Sequence, residues 1–212
     1  RDLVRSRGLG DVYKRQDYDT PLECPFITHW LHNMSHDQVL DMLKYLNMSN
    51  APESKVKVIF VPCYLDGNDG IWNMHYYDLI LGYDLSVYPS YYEPWGYTPL
   101  ESIAFHVPTV TTDLAGFGLW VNSLKGRFSE LADGVKVIHR TDYNYSEVAD
   151  VIKDTVTDFS ALSAAEVKKI RKNAAAIAEK ALWKHFIQYY YQAYDIALRL
   201  SLIHISEPTR PY

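Results

Sequence analysis

Cysteine, basic charge and long apolar runs are what this chain of 212 residues has least of, and each shortage closes off a class of function. Lys and Arg number 21 against 26 Asp and Glu, and an acidic surface argues against nucleic acid or an anionic membrane as partner. No apolar stretch approaches the roughly 20 residues that a membrane-spanning helix needs. The two cysteines, Cys24 and Cys63, are far apart and lack metal-ligand spacing. They read as free buried thiols in a reducing, cytoplasmic setting rather than as a disulfide. His29 and His32, in the loop-like stretch Thr20–Asn33, have no companions to complete a metal site. Asp66-Gly-Asn-Asp-Gly70 lacks the downstream glutamate and ligand alternation of a calcium loop and reads as a turn. No G-x-G-x-x-G follows the first strand, which speaks against a dehydrogenase domain.

The two ends are related in a way that coding for a protein does not produce. One choice of codons for Leu200–Tyr212 has a reverse complement that translates as VRSRGLGDVYKRQ, the sequence of Val4–Gln16. Residues 1–16 and 200–212 therefore read as translated sequencing adapter, and 17–199 as a fragment cut at both ends. Without those tails the balance is 15 basic against 23 acidic residues, a net of −8. The fragment is long enough for one domain with its own core.

Within it, strand and helix signals alternate. Asp37–Leu46 has a helical stripe of Val39, Leu40, Leu43 and Leu46, with Ser35 as a candidate N-cap. Lys55–Leu65 reads as a strand buried on both faces, Asn73–Gly82 as a short helix closed by Gly82, and Tyr83–Pro89 as a second strand. Thr98–His106 has helical spacing, Thr109–Thr112 is β-branched, and Lys125–Gly134 is a polar, flexible-looking insertion before the strand Val135–His139. Ser146–Phe159 and the long stretch Ala164–Leu198 read as amphipathic helices, the second rich in aromatics. Four strands between helices predict an α/β fold with a doubly wound parallel sheet, Rossmann-like, binding ligands at the carboxyl ends of its strands.

The densest chemistry lies in Ser90–Ser102, SYYEPWGYTPLES, a strand-to-helix turn. Gly96 lets backbone come close to a ligand, Thr98 suits an N-cap, and Pro99 fits a first helical turn. Amides at a helix start bind phosphate, with the positive end of the helix dipole behind them. Glu93 and Glu101, on either side of such a notch, suit sugar hydroxyls or a developing cation. Asp113–Gly118 is a second strand-to-helix passage, in which Gly116 and Gly118 are either ordinary turn glycines or points of close approach to a ligand.

Glu93-x7-Glu101 within SYYEPWGYTPLES, followed by VPTVTTDLAGFG over Val107–Gly118, closely resembles the glycogen synthases of the animal and fungal type. The resemblance runs from about Thr20 to Arg199. It implies the carboxy-terminal Rossmann-like half of a two-domain retaining glycosyltransferase, moving glucose from UDP-glucose to the non-reducing end of an α-1,4-glucan. On that reading Glu93 is the catalytic residue beside the anomeric carbon. The amides of Gly96, Tyr97 and Thr98 hold the diphosphate, Glu101 takes the ribose hydroxyls, and the loop with Gly116 and Gly118 flanks the donor. Tyr76 either belongs to the core or stacks on uracil. No metal and no cofactor are required. The acceptor site and the remaining basic groups belong to a missing amino-terminal domain, so the fragment alone is expected to bind UDP weakly and to catalyse nothing. The aromatic surplus near the end fits helices that cross back to that domain, with a coiled-coil dimer as rival, and homo-oligomerisation of the full enzyme stays open. The family's dense arginine run for a sugar phosphate is thinned here to Lys168, Lys169, Arg171 and Lys172, which puts control by glucose 6-phosphate in doubt. Alternatives are another retaining glucosyltransferase, an ADP-glucose-dependent synthase, or a non-catalytic sugar-nucleotide-binding domain.

Overall fold

A computed structural model of the chain describes residues 33, 36–48 and 50–206, with side chains to 200. Cys24, His29, His32, Ser35, and the adapter-like stretches 1–16 and 207–212 lie outside the described residues. The chain divides into two units, residues 1–79 and 80–212.

In the first unit, α1 (Gln38–Tyr45) is capped by Asp37, whose Oδ1 accepts from the amides of Val39 and Leu40 at 3.0 Å each. The expected strand over Lys55–Leu65 does not form. Ile59 makes an isolated bridge and Val56 is exposed. The Asn50 side chain takes the place of a neighbouring strand, accepting from the Val58 amide at 2.8 Å and donating to the Val58 carbonyl at 2.6 Å. Asp69 confirms the turn reading of residues 66–70. Its buried carboxylate accepts from the amides of Ile71, Trp72 and Asn73. Burial opposes ionisation there, but those three amides prevail and hold its pKa below the usual carboxylate value. Cys63 carries a free thiol, whose pKa is pushed up by burial and by Asp69 and Asp66. The helix expected over Asn73–Gly82 shortens to α2 (Tyr76–Ile80).

The second unit is built on a parallel sheet of β1 (Ser86–Val87), β2 (Thr109–Thr112) and β3 (Val135–Ile138), in that order. All four residues of β2 are buried, as suits a central strand covered on both faces. Three strands replace the four expected among the described residues, the missing one being 55–65. Helices α3 (Tyr97–Ala104) and α4 (Gly116–Lys125) make the two crossovers. Right-handed crossovers between strands in sequential order put both on one face. Ile103, Phe117 and Val121 pack there against Val135 and Val137, joined by Ala174 and Ile177 of α6 (Ala164–Lys180). The opposite face of the sheet presents Val87, Val110 and Ile138 to Val148, Val151 and Ile152 of α5 (Tyr145–Ser160). Helices on both faces of a parallel sheet are the expected α/β arrangement.

The long carboxy-terminal signal is two helices, α6 and α7 (Trp183–Ser206). No glycine or proline marks the break at Ala181–Leu182. Packing sets it, because it turns Phe186 toward the sheet layer. Helix α7 continues through residues 200–206, the first half of one adapter-like stretch. Arg171, in the thinned basic run, donates to the Tyr83 carbonyl at 2.6 Å and pairs with Asp84 at 3.2 Å, tying α6 to the start of β1.

The stretch 125–134 is pinned rather than loose. Ser129 is fully buried; its amide donates to Asn122 Oδ1 at 2.9 Å and its hydroxyl donates to the Val135 carbonyl at 2.7 Å. Asp133 pairs with Lys125 at 3.1 Å and Arg127 at 2.8 Å and accepts from the Glu130 amide. Burial opposes its charge, yet the Glu130 amide and the two cations lower its pKa. A lowered folded-state pKa gives stability that is present above the unfolded value and lost as pH falls through the folded one. Asp133→Asn is therefore expected to cost about 1 kcal/mol at neutral pH, with the difference from the parent shrinking in urea titrations as the pH is lowered below the ordinary aspartate value of about 3.9.

Candidate active site

The turn that leaves β1 is fastened to the sheet almost residue by residue. The Tyr88 amide donates to the Val110 carbonyl at 2.8 Å, and Thr112 Oγ1 donates to the Ser90 carbonyl at 2.7 Å. The Arg140 guanidinium donates to the Pro89 carbonyl and lies over the Tyr91 ring, 5.1 Å from its centroid. Glu93 then pairs in parallel with Ala115. Its amide donates to the Leu114 carbonyl at 3.2 Å, and its own carbonyl accepts from Gly116 at 3.1 Å. The Phe117 amide closes the series on the Trp95 carbonyl at 2.6 Å. The two glycine-bearing passages seen in the sequence are thus one laced structure at the carboxyl ends of β1 and β2.

Steric detail explains the glycines. Gly96 has φ 105°, a left-handed conformation that side chains resist. Gly116 and Gly118 are not in that region, so they are not left-handed turn glycines. A Cβ on Gly116 would collide with the Pro94 carbonyl oxygen, and one on Gly118 with that of Thr112. Their close approach is to neighbouring backbone.

Gly96, not Thr98, is the N-cap of α3, and no side chain caps the helix. Thr98 is its second residue and Pro99 its third, so the cap lies two residues earlier than expected. Among the described residues, no acceptor lies within hydrogen-bond reach of the amides of Gly96, Tyr97 and Thr98. Three consecutive donors at a helix start form an anion-binding arrangement. The half-buried Glu93 side chain stands next to it, its Cγ 3.5 Å from where a Gly96 Cβ would sit. Glu101 is four residues after Tyr97, on the same side of α3. Behind them, the buried Ser102 hydroxyl donates to Ser86 Oγ at 3.1 Å and meets the Tyr88 hydroxyl at 2.7 Å, fixing α3 to β1.

With that geometry in view, comparison with known proteins is decisive. The sequence profile of the glycogen synthase family matches residues 14–206. The chain belongs to the glycogen synthase family. It is 30% identical over 175 residues to glycogen [starch] synthase isoform 2 of Saccharomyces cerevisiae, covering 82% of this chain and 25% of that protein. With the glycogen [starch] synthase of Caenorhabditis elegans it shares 31% over 169 residues, 79% of this chain and 25% of the other. With the liver glycogen [starch] synthase of Mus musculus it shares 28% over 205 residues, 94% and 29% respectively. The chain spans about a quarter of the length of the curated relatives it matches.

In this glycogen synthase family member, Glu93, Gly96, Tyr97, Thr98, Glu101, Gly116 and Gly118 all fall in the second unit, on the laced turns and the two helices they open. Tyr76 falls in the first unit, half-buried at the start of α2, with its ring 5.4 Å from that of Tyr77. Sequence reasoning passed over Asp113, His139 and Arg140. Asp113 Oδ1 accepts from the Arg140 amide at 2.9 Å and its Oδ2 lies 2.6 Å from His139 Nδ1, so the end of β2 orders the residues that follow β3. The strand-end rule would have pointed to all three. No described helix is long and apolar enough to cross a membrane.

Gly116→Ala tests the lacing. The added methyl group must part Glu93 from Ala115, with an expected loss of about 2 kcal/mol in chemical denaturation and faster hydrogen exchange at the Phe117 amide.

Proposed function

We propose that this chain is the donor-binding part of a glycogen synthase that transfers glucose from UDP-glucose to the non-reducing end of an α-1,4-glucan, retaining configuration. The observation that carries the reading is the run of three amides at Gly96–Thr98, without acceptors among the described residues and with the Glu93 side chain alongside. Family membership supplies the chemical context.

In this reading, breaking the bond between glucose and the diphosphate leaves negative charge on the leaving group and positive charge on the sugar ring. The amides of Gly96, Tyr97 and Thr98 face the first and become more effective as it grows, because fixed dipoles need no reorganisation. Glu93 contacts the hexose and stabilises the second. Glu101 accepts from the ribose hydroxyls, and the loop of Gly116 and Gly118 walls the donor site. The reading requires neither metal nor cofactor. The acceptor site and further basic groups would come from the parent's amino-terminal domain, since the relatives are about four times as long. The free Cys63 thiol is in keeping with a cytoplasmic setting.

Two measurements test this. Calorimetric titration of the chain should show weak UDP binding, of order 0.1–1 mM, and weaker binding of ADP. Equal affinity for both would redirect the reading to a donor with another base, and binding of neither would remove the donor site. In the complete enzyme, Glu93→Gln should lower glucosyl incorporation into glycogen about a hundredfold or more, roughly 3 kcal/mol of transition-state stabilisation. Turnover near the parent's would take Glu93 out of the mechanism.

A further inference from the structure

Trp95 stands between Glu93 and the three amides, and its neighbours in the chain do little to fix it. Pro94 holds its own φ, but Gly96 has the widest conformational freedom of any residue and adopts φ 105°. The direction in which the chain leaves Trp95, and so the direction of the Gly96, Tyr97 and Thr98 amides, must be set from outside the turn.

Three rings set it. The Trp95 ring meets Phe117 edge-on with centroids 6.1 Å apart, Trp120 at 5.8 Å, and Phe186 edge-on at 5.7 Å. Phe186 also meets Trp120 at 5.5 Å. Phe117 and Trp120 come from α4, already laced to the turn through the Phe117 amide and the Trp95 carbonyl. Phe186 comes from the first turn of α7, far along the chain. Beyond Phe186 and Ile187 every described side chain of α7 is exposed, Tyr191 at 59% and Tyr194 at 58% among them. A helix of 24 residues, about 36 Å long, thus meets the body of its unit at its base, and the contact there includes the tryptophan of the turn.

We propose that Phe186 is a positioning residue for the donor turn. By closing the aromatic box around Trp95 it fixes the pitch of the Gly96–Thr98 amides, and any change in the seating of α7 is felt at the nucleotide. The proposal rests on the donor-binding reading above and adds a residue and a route of control to it. The amides touch the ligand; Phe186 acts on them through Trp95.

The test uses the whole chain with Phe186→Ala, Phe186→Leu and Phe186→Tyr, and Tyr191→Ala as a control further along α7. UDP is titrated by calorimetry, and hydrogen exchange is read at the Gly116 and Phe117 amides and in β2 and β3. The Ala and Leu variants should weaken UDP binding about tenfold and speed exchange at Gly116 and Phe117 at least severalfold, with β2 and β3 unchanged. Phe186→Tyr should restore both and Tyr191→Ala should move neither. Unaltered exchange at Phe117 in the Ala and Leu variants overturns the proposal, as does unaltered UDP affinity in a chain whose parent binds UDP. Equal acceleration in β2 and β3 also overturns it, since Phe186 would then be a general core residue. A parent that binds no UDP sinks the donor reading instead, and exchange at Phe117 still decides whether Phe186 holds the turn.

Discussion

The backbone pairing of Glu93 with Ala115 is the constraint on which the second unit's functional geometry depends. A turn that leaves one strand and a passage that leaves the next are joined by hydrogen bonds from Glu93, Gly116 and Phe117, as if the sheet continued for one more rung past its last strand residue. Those bonds engage the amides of Glu93, Gly116 and Phe117 and the carbonyls of Leu114, Glu93 and Trp95. Among the described residues, the short series of amides where α3 begins has no acceptor. Those donors are not a defect of the turn. They are the first amides of a helix, which no carbonyl one turn earlier and no capping side chain reaches.

Glycine is needed in this construction for more than one reason. Gly96 bends the chain in a way a side chain would resist, whereas Gly116 and Gly118 admit the carbonyls of Pro94 and Thr112 into space a methyl group would occupy. Only the first is a matter of dihedral freedom. The other two are matters of distance between two backbones, so replacing either would disturb the spacing of the loops before it disturbed the shape of either one.

Much of this was legible in the residues, and the parts that were not share a cause. The TVTT run of β2 announced itself because a central parallel strand is buried at every position, so its signal is continuous. The glycine-bearing passages announced themselves because backbone crowding leaves few residue choices. Lys55–Leu65 misled because an apolar, β-branched run shows that a segment favours pairing but not how far pairing extends: among the described residues it is limited to a bridge at Ile59, and the Asn50 side chain satisfies the Val58 backbone. The break between α6 and α7 was invisible because Ala181 and Leu182 are good helix formers, and the reason for it lies in rings contributed by Trp95 and Trp120. Asp113, His139 and Arg140 escaped because Asp113 and Arg140 are 27 positions apart and meet only when the sheet forms.

The bare start of α3 has a consequence for the resting protein. Most helices in such a position recruit a serine, threonine or aspartate to quiet their first amides, and having glycine there instead costs a few tenths of a kcal/mol. Here glycine occupies the cap and no side chain folds back. An acceptor supplied to those amides from outside the chain would therefore firm the start of the helix by an amount of that order, which couples binding at the turn to the stability of α3.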